Sequence, residues 1–442
     1  IRGDEPGPTW DQCRQFLERF EEKTLQADPE VKALATLLKA MTPESIVAAV
    51  EAEEAKCLRP APRPLPPPIE TPVEPPSFNT YFGYLHDHSE LSLDATGDPF
   101  EAYRVARDVG GLDFHALADH AEFLFLWPWN NKWKALRQAA DAADEPGVFA
   151  ALWGFEWSNP VLGHINVMNS DGFVSCLAPF GLGDFFAWLH TEPQAFAQFN
   201  HPGDFNFIGT EFFHFKLYPL GVRQMTALEL WNTNQSFDRY HYAGSWKSDT
   251  PYYDVANLKG WRIGAAGGQD NHREQWGFLN DFRVGVLAGE LTREGIAEAF
   301  FARRTYATEN SHLYLDFRSS GHPMGSRLKG LPRTFTVTAS NGDGDTFQEI
   351  RLIRNGIVIQ SMPVEGNPVE VEFNDPESQG NDYYYVIVTQ TGDSNGNGRN
   401  DEAISSPIWF FDASPPCTKP PVCGLIASGA TPGAGIGQMF FL

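Results

Sequence analysis

Histidines and carboxylates follow a series of short apolar runs between residues 81 and 272. His86 and His88 follow the first run, and Asp270 and His272 follow the last, again two residues apart. Residues two apart in an extended strand point to the same side, so each pair can face one ion. The candidate ligands are His86, His88, Asp94, His120, Glu156, His164, His201, Asp270 and His272, which include six of the twelve histidines.

Each of these features has an ordinary explanation when it is taken alone. An HxH pair occurs in many soluble proteins, and a single histidine in ADH or NHP is typical of a hydrogen-bonded core or loop residue. Glu156, beside Trp157, could be a buried and paired carboxylate. Two such pairs at the ends of one region, with Glu and His at strand ends between them, favour a divalent-metal site.

The ligands lie in residues 79–313, where short apolar strands alternate with helices. Asp98-Pro99, for example, has the form of a helix N-cap followed by proline at the first helical position. Alternation of this kind predicts an α/β domain with a parallel sheet or barrel and helices outside it. In such folds the carboxyl ends of the strands carry the site, which is where the ligands stand.

The flanking regions differ in pattern. Asn355-Gly356, between two alternating runs, indicates a β-hairpin. The predicted division is a helical segment at 1–57, a stiff proline-rich linker at 58–78, a β-sandwich at 314–413 with a period of two, and a Gly/Pro-rich tail at 414–442.

The overall charge restricts the partners. Lys and Arg number 33 against 57 Asp and Glu, a net charge of −24 that disfavours binding to nucleic acid or to an anionic membrane. No apolar run approaches the ~18 residues of a membrane-spanning helix. Cys13 and Cys57 could be bridged, as could Cys417 and Cys423, although five unrelated thiols are the alternative. We expect a secreted or periplasmic protein.

The ordered set of motifs resembles the polymerase and histidinol phosphatase (PHP) superfamily of metal-dependent phosphoesterases. The family pattern is HxH, an acidic residue or His about six residues on, DH, Glu, His, HP with His, and a closing DxH. The resemblance implies that the nine candidates are ligands of two or three ions, often zinc, manganese or iron. It also implies a distorted (βα)7 barrel.

Further segments are similar to one branch of that superfamily, the secreted carbaryl-hydrolase-like (CehA/McbA-like) enzymes. These segments are LELWN at 228–232, RRTYATEN at 303–310 and SSPIWF at 405–410. The branch includes carbamate and ester hydrolases.

Charge predicts how such a centre would act. Three divalent ions and three carboxylates sum to roughly +3, which attracts an anionic small-molecule ester despite the acidic surface. A water bridging two ions has its pKa lowered to about 7 and would attack as hydroxide. Asp119 could orient an imidazole or carry a proton, and Arg273 and Arg304 could contact the substrate anion, although both arginines could equally form surface ion pairs.

A second cation site is suggested by DSNGNGRND at 393–401. Oxygen side chains recur there at the spacing of a calcium loop, although the usual glutamate at the twelfth position is missing and a plain Asn/Gly turn explains the same residues. The possible calcium ligands are Asp393, Asn395, Asn397 and Asp401.

Three functions follow from these observations. The first is a metal-dependent hydrolase of phosphate mono- or diesters. The second is a carboxyl-ester or carbamate hydrolase that uses the same centre. The third is a binding protein in which the metals are structural, and a catalytic centre differs from it by keeping a position open for water.

Overall fold

The fold is taken from a computed structural model, which describes residues 65–124, 129–176, 181–203, 211–232, 238–239, 250–378 and 380–412. The predicted helical segment at 1–57 and the tail at 414–442 lie outside the described residues, as do Cys13, Cys57, Cys417 and Cys423. Cys176 is buried and free. None of the described helices is long and apolar enough to span a membrane.

The ligand-bearing region is a mixture of strands and helices. Its strands are β1 (Asn79–Tyr84), β2 (Phe114–Leu117), β3 (Ala150–Asn159), β4 (Gly163–Met168), β5 (Phe196–Phe199), β6 (Met225–Glu229), β7 (Trp231–Asn232), β8 (Asp238–Arg239), β9 (Gly264–Ala266), β10 (Arg283–Ala288) and β11 (Thr305–Thr308). Its helices are α1 (Pro99–Asp108), α2 (Ala121–Leu124), α3 (Trp129–Ala143), α4 (Leu182–Thr191), α5 (Tyr252–Leu258) and α6 (Arg293–Ala302), with a 3₁₀ turn at Glu211–Phe213.

The cap of α1 agrees with the sequence. The Asp98 side chain accepts hydrogen bonds from the backbone N–H groups of Phe100 and Glu101, and Pro99 occupies the first turn. Helix α1 buries Ala102, Tyr103 and Ala106, among others, against the sheet. The predicted N-cap at Asp98-Pro99 is confirmed.

Strands β7 and β8 pair only with each other, and the other nine strands belong to one large sheet of mixed direction. Its central order is β11-β10-β1-β2-β3-β4-β5-β6-β9. Strands β1, β2 and β3 are parallel, as are β5, β6 and β9, whereas β4 is antiparallel to both of its neighbours and β10 is antiparallel to β1 and β11. The fold is therefore α/β, but its sheet is not the all-parallel one that strand–helix alternation suggested. The (βα)7 barrel stays a prediction.

Side chains join β9 to β11, the two ends of that order. The Thr305 hydroxyl donates to the Ala265 carbonyl (2.8 Å), and the Ala265 N–H donates to the hydroxyl of Ser406 (2.9 Å). The two hydroxyls lie 3.0 Å apart. Ser406, a residue of the C-terminal region, thus helps to join β9 to β11.

The C-terminal region is all β. Its strands are β12 (Leu313–Ser319), β13 (His322–Pro323), β14 (Arg327–Leu328), β15 (Thr334–Asn341), β16 (Phe347–Arg354), β17 (Ile357–Pro363), β18 (Val369–Asn374), β19 (Asn381–Gln390), β20 (Glu402–Ser405) and β21 (Ile408–Phe411). Strands β16 and β17 form the hairpin predicted at Asn355-Gly356, which is confirmed.

Two groups of these strands share one apolar core. Strands β13-β12-β15-β18 form a separate sheet, whereas β19 and β20 continue the large sheet through β11. Phe317, Phe335, Tyr384, Val386 and Phe410 belong to the core between them. Because β20 pairs with β11, the C-terminal strands are continuous with the ligand-bearing sheet, and a separate β-sandwich stays a prediction.

The described part of the proline-rich linker, residues 65–78, lies against the C-terminal strands. We call it the strap. The Ile69 N–H donates to the Arg327 carbonyl (2.6 Å), and the Lys329 N–H donates to the Ile69 carbonyl (2.8 Å). The His322 ring contacts the Thr71 carbonyl (2.7 Å). The strap is thus hydrogen-bonded to the C-terminal strands, since proline-rich backbone still offers carbonyls to neighbouring donors, and the division into a linker and separate domains stays a prediction.

Candidate metal centre

The two motifs with paired ligands lie side by side beyond the carboxyl end of β1. The His88 N–H donates to the Asn271 carbonyl (3.0 Å), and the Asp270 N–H donates to the His86 carbonyl (2.9 Å). Residues 86–88 and 270–272 are thereby held in parallel register. Nε2 of His88 lies 3.0 Å from Oδ1 of Asp270, and Nε2 of His86 lies 3.3 Å from the same atom.

Glu156, on β3, occupies the middle of the cluster. Its Oε1 lies 3.2 Å from Nε2 of His86, 3.1 Å from Nδ1 of His164 and 3.4 Å from Nε2 of His201. Its Oε2 lies 2.8 Å from Nδ1 of His120. Four imidazoles from four different chain segments thus meet at one buried carboxylate.

The remaining ligands face outward. Oδ2 of Asp94 lies 3.2 Å from Nε2 of His120 and 3.9 Å from Nε2 of His272. The Asp94 side chain is 43% exposed and that of His272 is 17% exposed. The structure therefore brings all nine predicted ligands together at one end of the sheet.

Exposure divides the nine ligands into two groups. We call the buried group, with side chains 0–5% exposed, the base: His86, His88, Glu156, His201 and Asp270. We call the group with side chains 11–43% exposed the rim: Asp94, His120, His164 and His272. The base of the centre is therefore shielded from solvent, whereas the rim is accessible to it.

The donor atoms suit divalent ions. Imidazole nitrogens and carboxylate oxygens are the usual ligands of zinc, manganese and iron. His88 stacks with two other rings, its centroid lying 4.2 Å from that of His272 and 4.4 Å from that of His120. The groups whose ligand atoms all lie within 4.8 Å of one another are His86/His88/Glu156, His86/His201/Asp270, Glu156/His164/His201 and His88/His120/His272. These side chains can hold more than one ion.

Carboxylates control the protonation of two imidazoles. Burial alone would lower the pKa of His86, but Glu229, Asp270 and Glu156 outweigh it and raise the pKa well above its usual value. Burial alone would also lower the pKa of His120, but Asp94 and Glu156 outweigh it and raise that pKa well above its usual value. The protonated form of both rings is thus favoured in the metal-free protein, and metal must compete with that proton.

Two other imidazoles are held neutral. Burial and the neighbouring His272 and His120 lower the pKa of His88 to about 3, despite Asp270. Burial lowers the pKa of His164 to about 4, despite Glu156. These two rings need no deprotonation before they bind metal at neutral pH.

Two ligands have left-handed backbone conformations. The φ angle is 23° at His201 and 50° at Asp270. Such conformations cost non-glycine residues of order 1–3 kcal/mol and persist only where the surroundings enforce them. The Asp270 N–H donates to the His86 carbonyl and the His201 N–H donates to Oε2 of Glu229 (2.9 Å), so both strained residues are tied to other parts of the site.

Sequence reasoning missed the polar side chains beneath the ligands. Glu229 is fully buried, and its Oε1 lies 2.8 Å from Nδ1 of His86. The Asn200 amide donates to Oε1 of Glu156 (2.8 Å) and to Oδ1 of Asn166 (2.8 Å). Glu229 ends β6 within LELWN, so the rule that sites follow carboxyl strand ends could have found it.

Asp119 does not contact an imidazole. Its carboxylate accepts hydrogen bonds from the backbone N–H and hydroxyl of both Ser89 and Ser92. The Ser92 hydroxyl lies 3.4 Å from Nδ1 of His88 and accepts a hydrogen bond from the N–H of His120 (2.9 Å). Asp119 is thus connected to the ligands through Ser92, and its role as a proton carrier stays a prediction.

The two arginines predicted to contact substrate are not in the cluster. The Arg273 side chain is exposed beside His272. Arg304 pairs with Glu298 and donates to the Leu287 carbonyl (2.9 Å). Strand β10 is antiparallel to both β1 and β11, so Arg304, which precedes β11, lies at the end of the sheet opposite the ligands. The structure does not bring it together with them.

The predicted calcium loop is hydrogen-bonded within the protein. Asp393 accepts from the N–H groups of Asn397 (2.9 Å) and Gly398 (2.8 Å). Asp401 accepts from Ser394 N–H (3.0 Å), and Asn395 accepts from Asp281 N–H (2.9 Å). These contacts are those of an Asn/Gly turn, and a calcium ion here stays a prediction.

Comparison with known proteins gives distant relatives. No protein-family model matches the chain. An uncharacterized protein of Chlamydia pneumoniae is 24% identical over 373 residues, which cover 75% of this chain and 57% of that protein. An uncharacterized protein of Chlamydia muridarum is 29% identical over 142 residues, 28% of this chain and 22% of that protein. The chain thus spans little more than half the length of the first relative.

One solved structure is similar in outline. It is a two-domain protein of Bacteroides vulgatus described as containing a predicted PHP-like metal-dependent phosphoesterase. The likeness covers 77% of this chain and 100% of that one, with a TM-score of 0.40 and 16% identity.

Proposed function

We propose that this protein is a metal-dependent hydrolase of phosphate mono- or diesters. The observation that carries the proposal is the meeting of four imidazoles at the buried carboxylate of Glu156, within a set of nine ligands that is open on one side. A purely structural metal site is usually closed by protein ligands, whereas this centre has an exposed rim.

The base and the rim have different tasks in the proposed reaction. The base holds its side chains in fixed directions, since His86 and His88 are wholly buried and tied to Asp270. The rim leaves Asp94 accessible, so an ester can approach from that side. Divalent ions held here would supply Lewis acidity and acidify a coordinated water.

The substrate is proposed to be an anionic small molecule. The net charge of −24 would repel an anion at long range, but three bound divalent ions would make the centre itself roughly +3. This local charge favours a phosphoryl group over a neutral ester. Zinc, manganese or iron are the proposed ions because the donors combine imidazole and carboxylate.

A carboxyl-ester or carbamate hydrolase is the second candidate. Its support is the similarity of LELWN, RRTYATEN and SSPIWF to the carbaryl-hydrolase-like branch. Glu229 of LELWN lies against His86, so at least this segment belongs to the centre. The same ligands would serve either substrate class.

A substrate panel on reconstituted protein tests the proposal. The metal-free protein is loaded separately with Mn²⁺, Zn²⁺ and Fe²⁺ and assayed on p-nitrophenyl phosphate, bis-p-nitrophenyl phosphate, aryl acetates and aryl carbamates. We expect metal-dependent turnover of a phosphate ester. His88→Ala should abolish it, whereas His312→Ala, which alters a histidine 56% exposed in the C-terminal region, should not.

The outcomes separate the three functions. Turnover of acetates or carbamates alone would favour the second candidate. Stoichiometric metal binding without turnover on any substrate would favour a binding protein. Wild-type protein that takes up no divalent metal would contradict all three.

A further inference from the structure

Glu229 has four hydrogen-bonding contacts beneath the base. Its Oε1 lies 2.8 Å from Nδ1 of His86 and accepts from Nε2 of Gln198 (3.2 Å). Its Oε2 accepts from the backbone N–H of His201 (2.9 Å) and from the side-chain amide of Asn232 (3.1 Å). Three of these partners are donors, and the fourth is a ring nitrogen that can carry a proton.

We infer that Glu229 is a positioning residue that fixes two ligands of the centre, the ring of His86 and the strained backbone of His201. This inference rests on the proposed metal-binding function and adds a residue outside the nine ligands. Glu229 contacts neither substrate nor ion in this role and acts through the two histidines.

The contact determines which nitrogen of His86 faces the ligands. Three N–H groups already donate to the two oxygens of Glu229, so the carboxylate is the acceptor and Nδ1 of His86 carries the proton that it donates to Oε1. In the metal-bound protein Nε2 would then be the nitrogen left to bind the ion, and it points toward Glu156 (3.2 Å) and Asp270 (3.3 Å). A ring rotated by half a turn about its Cβ–Cγ bond would exchange Nε2 with Cε1 and direct a C–H group toward the other ligands.

The second oxygen of Glu229 holds His201. The φ angle of 23° at His201 is unfavourable for a residue with a side chain, and the hydrogen bond from its N–H to Glu229 helps to keep it. Nε2 of His201 in turn lies 3.4 Å from Glu156. One carboxylate therefore sets the direction of two ligands that come from different strands.

Only a carboxylate fits this position. An amide at residue 229 would accept at one end and present an N–H group at the other, where donors already face it. Glu229 and His86 also pack closely on the backbone of Gly268, where a Cβ atom would lie 2.4 Å from Oε1 of Glu229 and 3.4 Å from Cβ of His86. Glu229→Gln should therefore disturb the ligands while preserving volume.

The experiment compares Glu229→Gln with Asp254→Asn. Asp254 is also buried, and its carboxylate accepts from the hydroxyls of Tyr383 (2.8 Å) and Tyr385 (3.1 Å), with no ligand among these contacts. Zn²⁺ affinity and the visible spectrum of the Co²⁺-loaded protein are measured for both variants. We expect Glu229→Gln to weaken the affinity for one ion by ~10–100-fold and to change the Co²⁺ bands, as for outer partners of metal ligands. Asp254→Asn should change neither.

A measurement on the wild type covers the case in which Glu229→Gln does not fold. Nitrogen-15 NMR of the Zn²⁺-loaded protein, with His86 assigned through His86→Asn, should show the proton on Nδ1 and the metal on Nε2. The opposite assignment would overturn the inference, as would unchanged affinity and Co²⁺ spectrum in folded Glu229→Gln. Failure of the wild type to bind Zn²⁺ would instead contradict the proposed function, so the two failures are distinguishable.

Discussion

The base and the rim of the centre are built from the same residue types in different surroundings. The base ligands are 0–5% exposed and are tied to one another through Glu156 and Asp270, whereas Asp94 of the rim is 43% exposed. Buried ligands have few alternative positions, and exposed ones can move or be replaced by water. The comparison implies that the base determines whether metal binds and that the rim tunes what the bound metal does.

The largest effect is expected from a change in the base. Glu156→Ala removes the carboxylate that four imidazoles share and leaves buried rings without a counter-charge. At least one ion should be lost and turnover should fall by more than ~100-fold, the upper end for outer partners of metal ligands. Elemental analysis and steady-state kinetics measure both quantities. Full metal content with near-normal turnover would show that the base does not determine whether metal binds.

A smaller effect is expected at the rim. Asp94→Asn keeps the shape of an exposed side chain and removes its charge beside His120 and His272. We expect the ions held by the base to remain, with turnover reduced by about 10-fold, the low end for altered metal partners. A loss of all metal in this variant would show that the rim is as essential as the base.

Proton release on metal loading probes one ligand from each group. The raised pKa values of His86 and His120 favour the protonated form of both rings in the metal-free protein, so metal loading should release protons from both. For the same reason metal affinity should weaken progressively as pH falls through the neutral range. Calorimetric titration with Zn²⁺ in buffers of different ionisation enthalpy measures the release. His120→Asn should release about one proton fewer, and equal release in both proteins would contradict the assignment.

The smallest effect on activity is expected from the strap, which contacts neither group. Removing residues 1–64 leaves its contacts with Arg327, Lys329 and His322 intact, whereas removing residues 1–76 deletes them. The second truncation should lower the free energy of unfolding by about 2 kcal/mol, because hydrogen bonds of this kind contribute about 0.5–1.5 kcal/mol each. Denaturant unfolding with turnover per folded molecule tests this. Turnover lost with the first truncation would show that residues 1–64 take part in the chemistry.

Local patterns predicted the parts of the molecule that depend on local geometry. The cap at Asp98-Pro99 and the hairpin at Asn355-Gly356 require only neighbouring residues, and both are present. The nine ligands were found because the ends of buried strands share one edge of a sheet. Their roles as ligands remain predictions until metal is measured.

Long-range pairing was the part that sequence could not supply. An apolar run such as β4 or β10 looks the same in either direction, so the antiparallel strands were not foreseen. Composition predicted a linker at the strap but could not reveal that the Ile69 backbone is hydrogen-bonded to Arg327 and Lys329. Arg304 was misplaced because the direction of β11 decides which end of the sheet it reaches.

The separation of the ligands along the chain has a consequence for folding. Glu156 and His164 are joined by a single hairpin, but His88 and Asp270 are 182 residues apart. Contacts between such distant residues form late, because the entropy of closing the long intervening loop opposes them until other structure is in place. A half-folded chain therefore has incomplete ligand groups, and tight metal uptake would mark the molecules that have completed folding.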